Sequence, residues 1–271
     1  DNAPDAIVEG AVFASREMDC QIILVGDRDK IERELRKYPD AKMDRISIEH
    51  ASEVVEMHEH AALAIRKKRD SSISVGMDLV ADNKADVFIS AGNTGAVVVA
   101  ATLKLRMLPG IERPGIAIVV PTVTGVAMLV DVGANIAPQP LHLLHYAVMA
   151  DAYSKHILNK ANPSIGLLSV GEEETKGTDF VKESYKLITE SKLNFIGNIE
   201  GKDIFSGTCD IVVCDGFVGN VVLKVAESIA EAVGKALKKY FKTNILTKLM
   251  ALLIINSRGF KKIIREMDYS E

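Results

Sequence analysis

Short runs rich in valine and isoleucine alternate along the chain with longer segments whose apolar residues recur every three to four positions. Runs of the first kind suit strands buried on both faces. Segments of the second kind suit helices packed by one side, so the alternation predicts βα units around a mostly parallel sheet. Strands are expected near residues 21–25, 86–90, 116–120, 127–131, 165–170 and 210–214. Helices are expected over 28–38, 56–69, 94–107, 140–159, 178–191 and 218–241. No internal repeat and no Ser/Gly/Pro-rich linker interrupts this pattern, which predicts one continuous α/β body over residues 1–239.

Beyond Lys239 the pattern changes. Ile245, Leu246, Leu249, Leu252, Leu253 and Ile255 cluster between Lys242, Lys248, Arg258, Lys261 and Lys262, which predicts a basic amphipathic helical extension over 240–271. Charge sharpens this contrast. The 271 residues carry 33 Lys and Arg against 37 Asp and Glu, but residues 235–265 hold nine of the bases and no acid, leaving 24 against 37 elsewhere. Such a tail suits an acidic protein or an anionic membrane surface, or serves as a contact in a dimer, while its apolar run is too short to span a bilayer.

Composition excludes other classes. With 48% apolar and 26% charged residues the chain is neither disordered nor collagenous. Cys20, Cys209 and Cys214 are odd in number and lack metal spacing, so a reducing compartment is expected, and the first residues carry no export leader. Cytoplasmic location follows as the expectation. His58 and His60 cannot share a helix face, and His142 and His145, at i and i+3, have no carboxylate near them in sequence. Arg66-Lys67-Lys68-Arg69 reads as the cationic end of a helix, and the aromatic residues are too sparse for a base-stacking platform, so nucleic acid is not an expected partner. Cys214 ends a strand with no histidine beside it and reads as a buried thiol, not a nucleophile.

Four polar turns that follow expected strands carry the candidate chemistry. In Ser90-Ala91-Gly92-Asn93-Thr94-Gly95 the glycines permit close backbone approach to an anion at a helix start, or Asn93 or Thr94 serves simply as the helix cap. Neither a P-loop nor a dinucleotide fingerprint is present. Asp131-Val132-Gly133-Ala134-Asn135 sets a carboxylate and an amide around a flexible turn, to orient a ligand or to fix the turn. Gly171 to Thr178 holds three glutamates and one cation, Lys176, with Thr178 as a helix cap. The glutamates read as solvated and no metal is expected. Asp215-Gly216-Phe217-Val218-Gly219-Asn220 puts an amide at a helix start. In an open α/β sheet such turns lie outside the carboxyl ends of strands, where ligands bind.

Read together, Asp1-Asn2-Ala3-Pro4, Lys67 to Ser72, Ser90 to Ala96, Arg113-Pro114, Asp131 to Asn135, Gly166 to Gly177, Asn194 to Asn198 and Asp215 to Lys224 resemble the PlsX family, the phosphate acyltransferases of bacterial phospholipid synthesis. The resemblance implies a three-layer α/β/α sandwich with a mostly parallel sheet, similar to isocitrate and isopropylmalate dehydrogenases and to phosphotransacetylase. It implies acyl transfer from acyl carrier protein to inorganic phosphate, without a cofactor, by a homodimer associated peripherally with the inner face of the cell membrane. Lys176 and Asn220 match the positions carried over as catalytic. Ser90, Gly92, Asn93, Thr94, Gly95, Asp131, Asn135, Asp215, Gly216 and Gly219 form the expected substrate-binding set. Ala137 and Leu141 depart from the acidic residues common in relatives, and segments that usually precede Asp1 and follow Tyr269 are not in the chain.

The residues permit a simple mechanism. Phosphate, whose second pKa lies near the middle of the physiological range, reaches a neutral site in large part as the nucleophilic dianion. The departing thiol, with a pKa of about 8.5, needs little acid assistance. What remains is placement and oxyanion stabilisation. The expectation is that N–H groups at Gly92 to Gly95 and Gly216 to Gly219 cradle phosphate while Lys176 and Asn220 face the oxyanion. The rivals are a phosphotransacetylase-like enzyme using acyl coenzyme A and a non-catalytic membrane-bound scaffold for the carrier protein.

Overall fold

A computed structural model describes residues 2–241, apart from the side chain of Phe241. Of the basic extension expected over 240–271, residues 242–271 lie outside the described residues, and 240 and 241 end the last helix. Chain contacts divide the protein into two compact units, Asp1–Pro109 and Gly110–Glu271. The expected single body over 1–239 is thus divided at Pro109-Gly110, inside the irregular connection between Lys104 and Ala117, whose two Pro-Gly pairs stand among apolar and charged residues and so do not read as a Ser/Gly/Pro-rich linker.

The first unit contains α1 (Asp5–Glu17), β1 (Ile22–Gly26), α2 (Arg28–Leu35), β2 (Ile46–His50), α3 (Ala61–Lys67), α4 (Ser72–Ala81) and α5 (Thr94–Lys104). β1 and β2 pair in parallel. Val8 and Val12, one turn apart on α1, pack with Leu24, Ile31, Leu35 and Ile46 in one core. A second core joins Ile65 of α3, Ile73 and Met77 of α4 and Ala96 and Ala100 of α5. The strand expected over 86–90 does not form. Residues 87–90 are irregular, and Val87 and Ile89 are exposed, because no strand edge pairs with them and a lone strand leaves its backbone groups unbonded. Phe88 instead fills the space left by the missing side chain of Gly76.

The second unit contains β3 (Ala117–Thr122), β4 (Gly125–Val130), α6 (Pro140–His156), β5 (Ile165–Leu168), α7 (Asp179–Thr189), β6 (Phe195–Ile199), a 3-10 turn (Gly201–Asp203), β7 (Ile211–Val213) and α8 (Gly216–Phe241). Its five-stranded sheet has the order β3-β4-β7-β5-β6. β3 and β4 form an antiparallel hairpin, and the other pairings are parallel. The sheet is buried on both faces. Met128, Val130, Leu167 and Val213 face α6 and α7 with Leu143, Tyr146 and Ile188. Ala127, Leu129, Val212 and Cys214 face the opposite layer with Ile204, Val222 and Leu223. This layering explains why strands such as Ile211–Val213 read as unbroken apolar runs.

Candidate functional site

Ser90–Gly95 leads into α5 in the first unit. Asn93 is the helix cap, its Oδ1 accepting the Ala96 N–H at 3.0 Å. Its Nδ2 points toward the carbonyls of Glu56, Met57 and Glu59 at 3.2–3.3 Å, so the side chain is spent on clasping the 56–59 loop. The Gly92 N–H is likewise taken by Ser90 Oγ at 3.1 Å. Thr94 and Gly95 occupy the first helical positions, whose N–H groups have no intrahelical acceptor. These two donors are what the turn offers an anion.

Three further turns leave the carboxyl ends of β4, β7 and β5, adjacent strands of the second unit. The first is built around Asp131, a carboxylate with 0% exposure. Its Oδ1 accepts N–H groups of Ile116, Gly133 and Ala134 at 2.9–3.1 Å, and its Oδ2 accepts that of Asn135 at 2.8 Å. Ordinarily a buried charge is costly, but four backbone donors solvate this one and fold the turn over it. Asn135 extends the network, donating through Nδ2 to the Pro114 carbonyl at 2.6 Å and to the Tyr146 hydroxyl at 2.7 Å. Burial, together with the Asp131 charge, pushes the Tyr146 phenol well above its usual range, so it stays protonated. Asp131 and Asn135 therefore act on the turn itself.

The start of α8 is seated on that turn. The Gly216 N–H donates to the Asn135 carbonyl at 2.9 Å, and the Asp215 carboxylate caps the helix by accepting from Phe217 and Val218 at 3.0 and 2.9 Å. The Gly219 N–H goes to the Asp215 carbonyl at 3.0 Å. All four N–H groups from Gly216 to Gly219 are thus bonded within the chain. The expected phosphate cradle at this helix start is corrected accordingly: capping by Asp215 and docking on Asn135 consume the donors. Asn220 escapes this use. It is exposed beside Gly133, whose missing Cβ would stand 3.7 Å from the asparagine Cγ, and its amide meets no partner among the described residues.

The loop after β5 carries Lys176. Gly177 has φ +91°, and Thr178 caps α7 by accepting the Val181 N–H. Of the three glutamates, Glu172 pairs with Lys202 at 3.1 Å. No group of three His, Cys, Asp or Glu able to hold a metal ion occurs among the described residues. The Lys176 ammonium is exposed and forms no ion pair among the described residues. The second unit thus puts two uncommitted donors, Lys176 and Asn220, on loops from adjacent parallel strands β5 and β7.

The model of a family described as fatty acid synthesis protein matches residues 1–271. The chain belongs to this family. Among its relatives is the phosphate acyltransferase of Geotalea uraniireducens, 48% identical over 271 residues, all of this chain and 78% of that one. The phosphate acyltransferase of Halothermothrix orenii is 46% identical over all of this chain and 81% of its own length. Among solved structures, the EutD phosphotransacetylase of Staphylococcus aureus aligns over 84% of this chain and 80% of its own, with a TM-score of 0.58 at 19% identity, a likeness of fold. The mostly parallel α/β architecture expected from the sequence is the one this chain shares with that structure.

Folding also uses residues whose partners are remote in sequence. Glu112, 30 positions away, lies 3.0 Å from His142 Nε2, which supplies the carboxylate that local sequence lacks. His142 Nδ1 accepts the Gln139 N–H at 3.0 Å, so the pair closes the start of α6. Burial raises the Cys214 thiol well above its usual range, and Asp215 and Asp131 add to it. This thiol is a packing group. The sequence gives no sign of Asp131 as an internally solvated carboxylate, because its donors are backbone groups.

Proposed function

We propose that this chain is a phosphate acyltransferase that moves a fatty acyl group from the thioester of acyl carrier protein to inorganic phosphate. Family membership and the names of relatives 45–48% identical support the reaction class. The observation that carries the reading in this chain is the pair of uncommitted donors, Lys176 and Asn220, on neighbouring loops at the carboxyl ends of β5 and β7.

A phosphate oxygen attacks the thioester carbonyl carbon, the carbonyl becomes a tetrahedral oxyanion, and collapse breaks the C–S bond. The electron pair leaves with the sulfur as thiolate. No bond to the protein forms and no redox change occurs. Lys176 supplies charge and Asn220 an N–H to the oxyanion, where a single such donor is worth about 10²- to 10³-fold in rate. Thr94 and Gly95 offer an anion two N–H groups at the start of α5. Asp131, Asn135, Asp215, Gly216 and Gly219 shape the turns that present Asn220.

The basic stretch 235–265 supports peripheral association with an anionic membrane surface on the cytoplasmic side. On α8, Val221, Val225, Ile229, Val233 and Leu237 form an exposed apolar stripe, which supports pairing of two copies of the chain. Among the described residues no helix is long and apolar enough to cross a membrane.

The test compares thiol release from acylated carrier protein and from acyl coenzyme A, with and without phosphate. Phosphate-dependent release favouring the carrier protein is expected. Preference for coenzyme A would move the chain to the phosphotransacetylase reaction, and absence of phosphate-dependent release would reduce it to a carrier-binding scaffold.

A further inference from the structure

β6 contains a bulge. Ile165 pairs with Phe195 but the next residue, Gly166, pairs with Gly197, leaving Ile196 extra. Gly197 has φ +100°, a backbone conformation that glycine adopts at little cost. The extra residue inverts the side-chain alternation beyond it. Phe195 packs in the core shared with α6 and α7, whereas Ile199, four residues on, is buried in the core of the opposite face. Asn198 is thereby turned to the α7 side, beside its register partner Leu167, and is only 5% exposed.

There it meets the Lys176 loop. Asn198 Nδ2 donates to the Glu173 carbonyl at 3.0 Å, and the same carbonyl accepts the Lys176 N–H at 3.0 Å. One oxygen thus joins the sheet to the backbone of the lysine. The lysine stem passes over Gly171, where a Cβ would lie 3.0 Å from Lys176 Cγ. Two buried polar atoms lie in this seam without a partner among the described residues: Asn198 Oδ1, and Ser169 Oγ, which lies 3.0 Å from where a Gly177 Cβ would stand. Half-satisfied burial of an amide is unfavourable, and a leucine of similar size would avoid the penalty. Packing therefore does not account for an asparagine here, whereas its bond to the loop does.

We infer that Asn198 is a positioning residue for Lys176, holding the turn that aims the ammonium and acting on the reaction only through it. The inference rests on the oxyanion role proposed for Lys176. A misplacement of about 1 Å of a catalytic group costs on the order of 10²-fold in rate.

The experiment is a double-mutant cycle on the full chain with Asn198→Leu and Lys176→Ala, measuring kcat and the KM for phosphate, with melting temperature as a control. Asn198→Leu alone is expected to lower kcat about 10- to 100-fold with KM changed less than about 2-fold. Introduced into Lys176→Ala it should lower kcat no further. Equal losses in both backgrounds would overturn the inference, since a general packing defect acts independently of the lysine. Should Asn198→Leu not fold, Asn198→Asp keeps the shape and removes the donor. If Lys176→Ala proves fully active, the oxyanion role fails separately. Amide hydrogen exchange at Lys176 then decides the link, with acceleration of about tenfold in the Asn198 variant supporting it and unchanged exchange overturning it.

Discussion

Gly219 rests against the backbone carbonyl of Asp131 so closely that a Cβ at this position would overlap the oxygen. The contact joins the start of α8 to the turn after β4, and it sits one residue before Asn220. Gly219→Ala is therefore expected to push the helix start off the turn, costing about 1–3 kcal/mol of stability and displacing Asn220. Urea unfolding and turnover measured on the same preparation check this. An alanine variant of native stability and rate would show that the helix start is not held by this contact.

Asp131 itself is predicted to be worth more to folding than to charge at a ligand. Asp131→Asn replaces one acceptor oxygen by an NH2 group facing backbone donors, and about 2–3 kcal/mol of stability should be lost. A purely ligand-orienting carboxylate would give lost activity at unchanged denaturation midpoint.

How far these features were legible in the amino-acid order depends on where each residue's partners come from. Strands β4, β5 and β7 announce themselves because burial on both faces makes apolar runs, and α7 and α8 because one apolar face makes a 3.6-residue period, whereas α5 and α6 read as helices by the length of their apolar stretches. β6 does not, since Gly197 and Asn198 interrupt its run and the bulge breaks its alternation. α1 and α4 are also absent from the expected helices; α4 has few polar positions to define a face. Lys176 and Asn220 were visible as lone donors in glycine turns. The fate of the Gly216–Gly219 N–H groups was not, because Asn135, which takes the first of them, is 81 positions distant.

Cys214 offers a check on the absence of a protein nucleophile. Its thiol is buried, raised in pKa and 3.5 Å from the Asp131 carbonyl. Cys214→Ala should keep turnover within about tenfold while losing about 1 kcal/mol of stability. Accumulation of an acylated protein in wild type, lost in this variant, would contradict direct attack by phosphate.

Acid should weaken the second unit through Asp210. Burial alone would raise this carboxyl, but hydrogen bonds from Lys160 and from the Ser164 N–H and hydroxyl outweigh it and hold the pKa below its usual value. A depressed folded-state pKa means stability that is fully present above the unfolded value, about 3.9, and lost as pH falls through the folded one. Asp210→Asn should therefore be less stable than wild type at pH 7, with the gap narrowing below about pH 4. Denaturant midpoints from pH 3 to 7 read this directly; a gap that widens toward acid would reverse the sign.

In the proposed reaction phosphate, activated by no residue of the chain, takes the acyl group under the guidance of Lys176 and Asn220. Mass spectrometry of the products from purified protein, acylated carrier protein and phosphate tests it most directly. Acyl phosphate should form with wild type and fall about 10²- to 10³-fold with Lys176→Ala at unchanged melting temperature. Free fatty acid in place of acyl phosphate, or an undiminished yield from the lysine variant, would contradict the account.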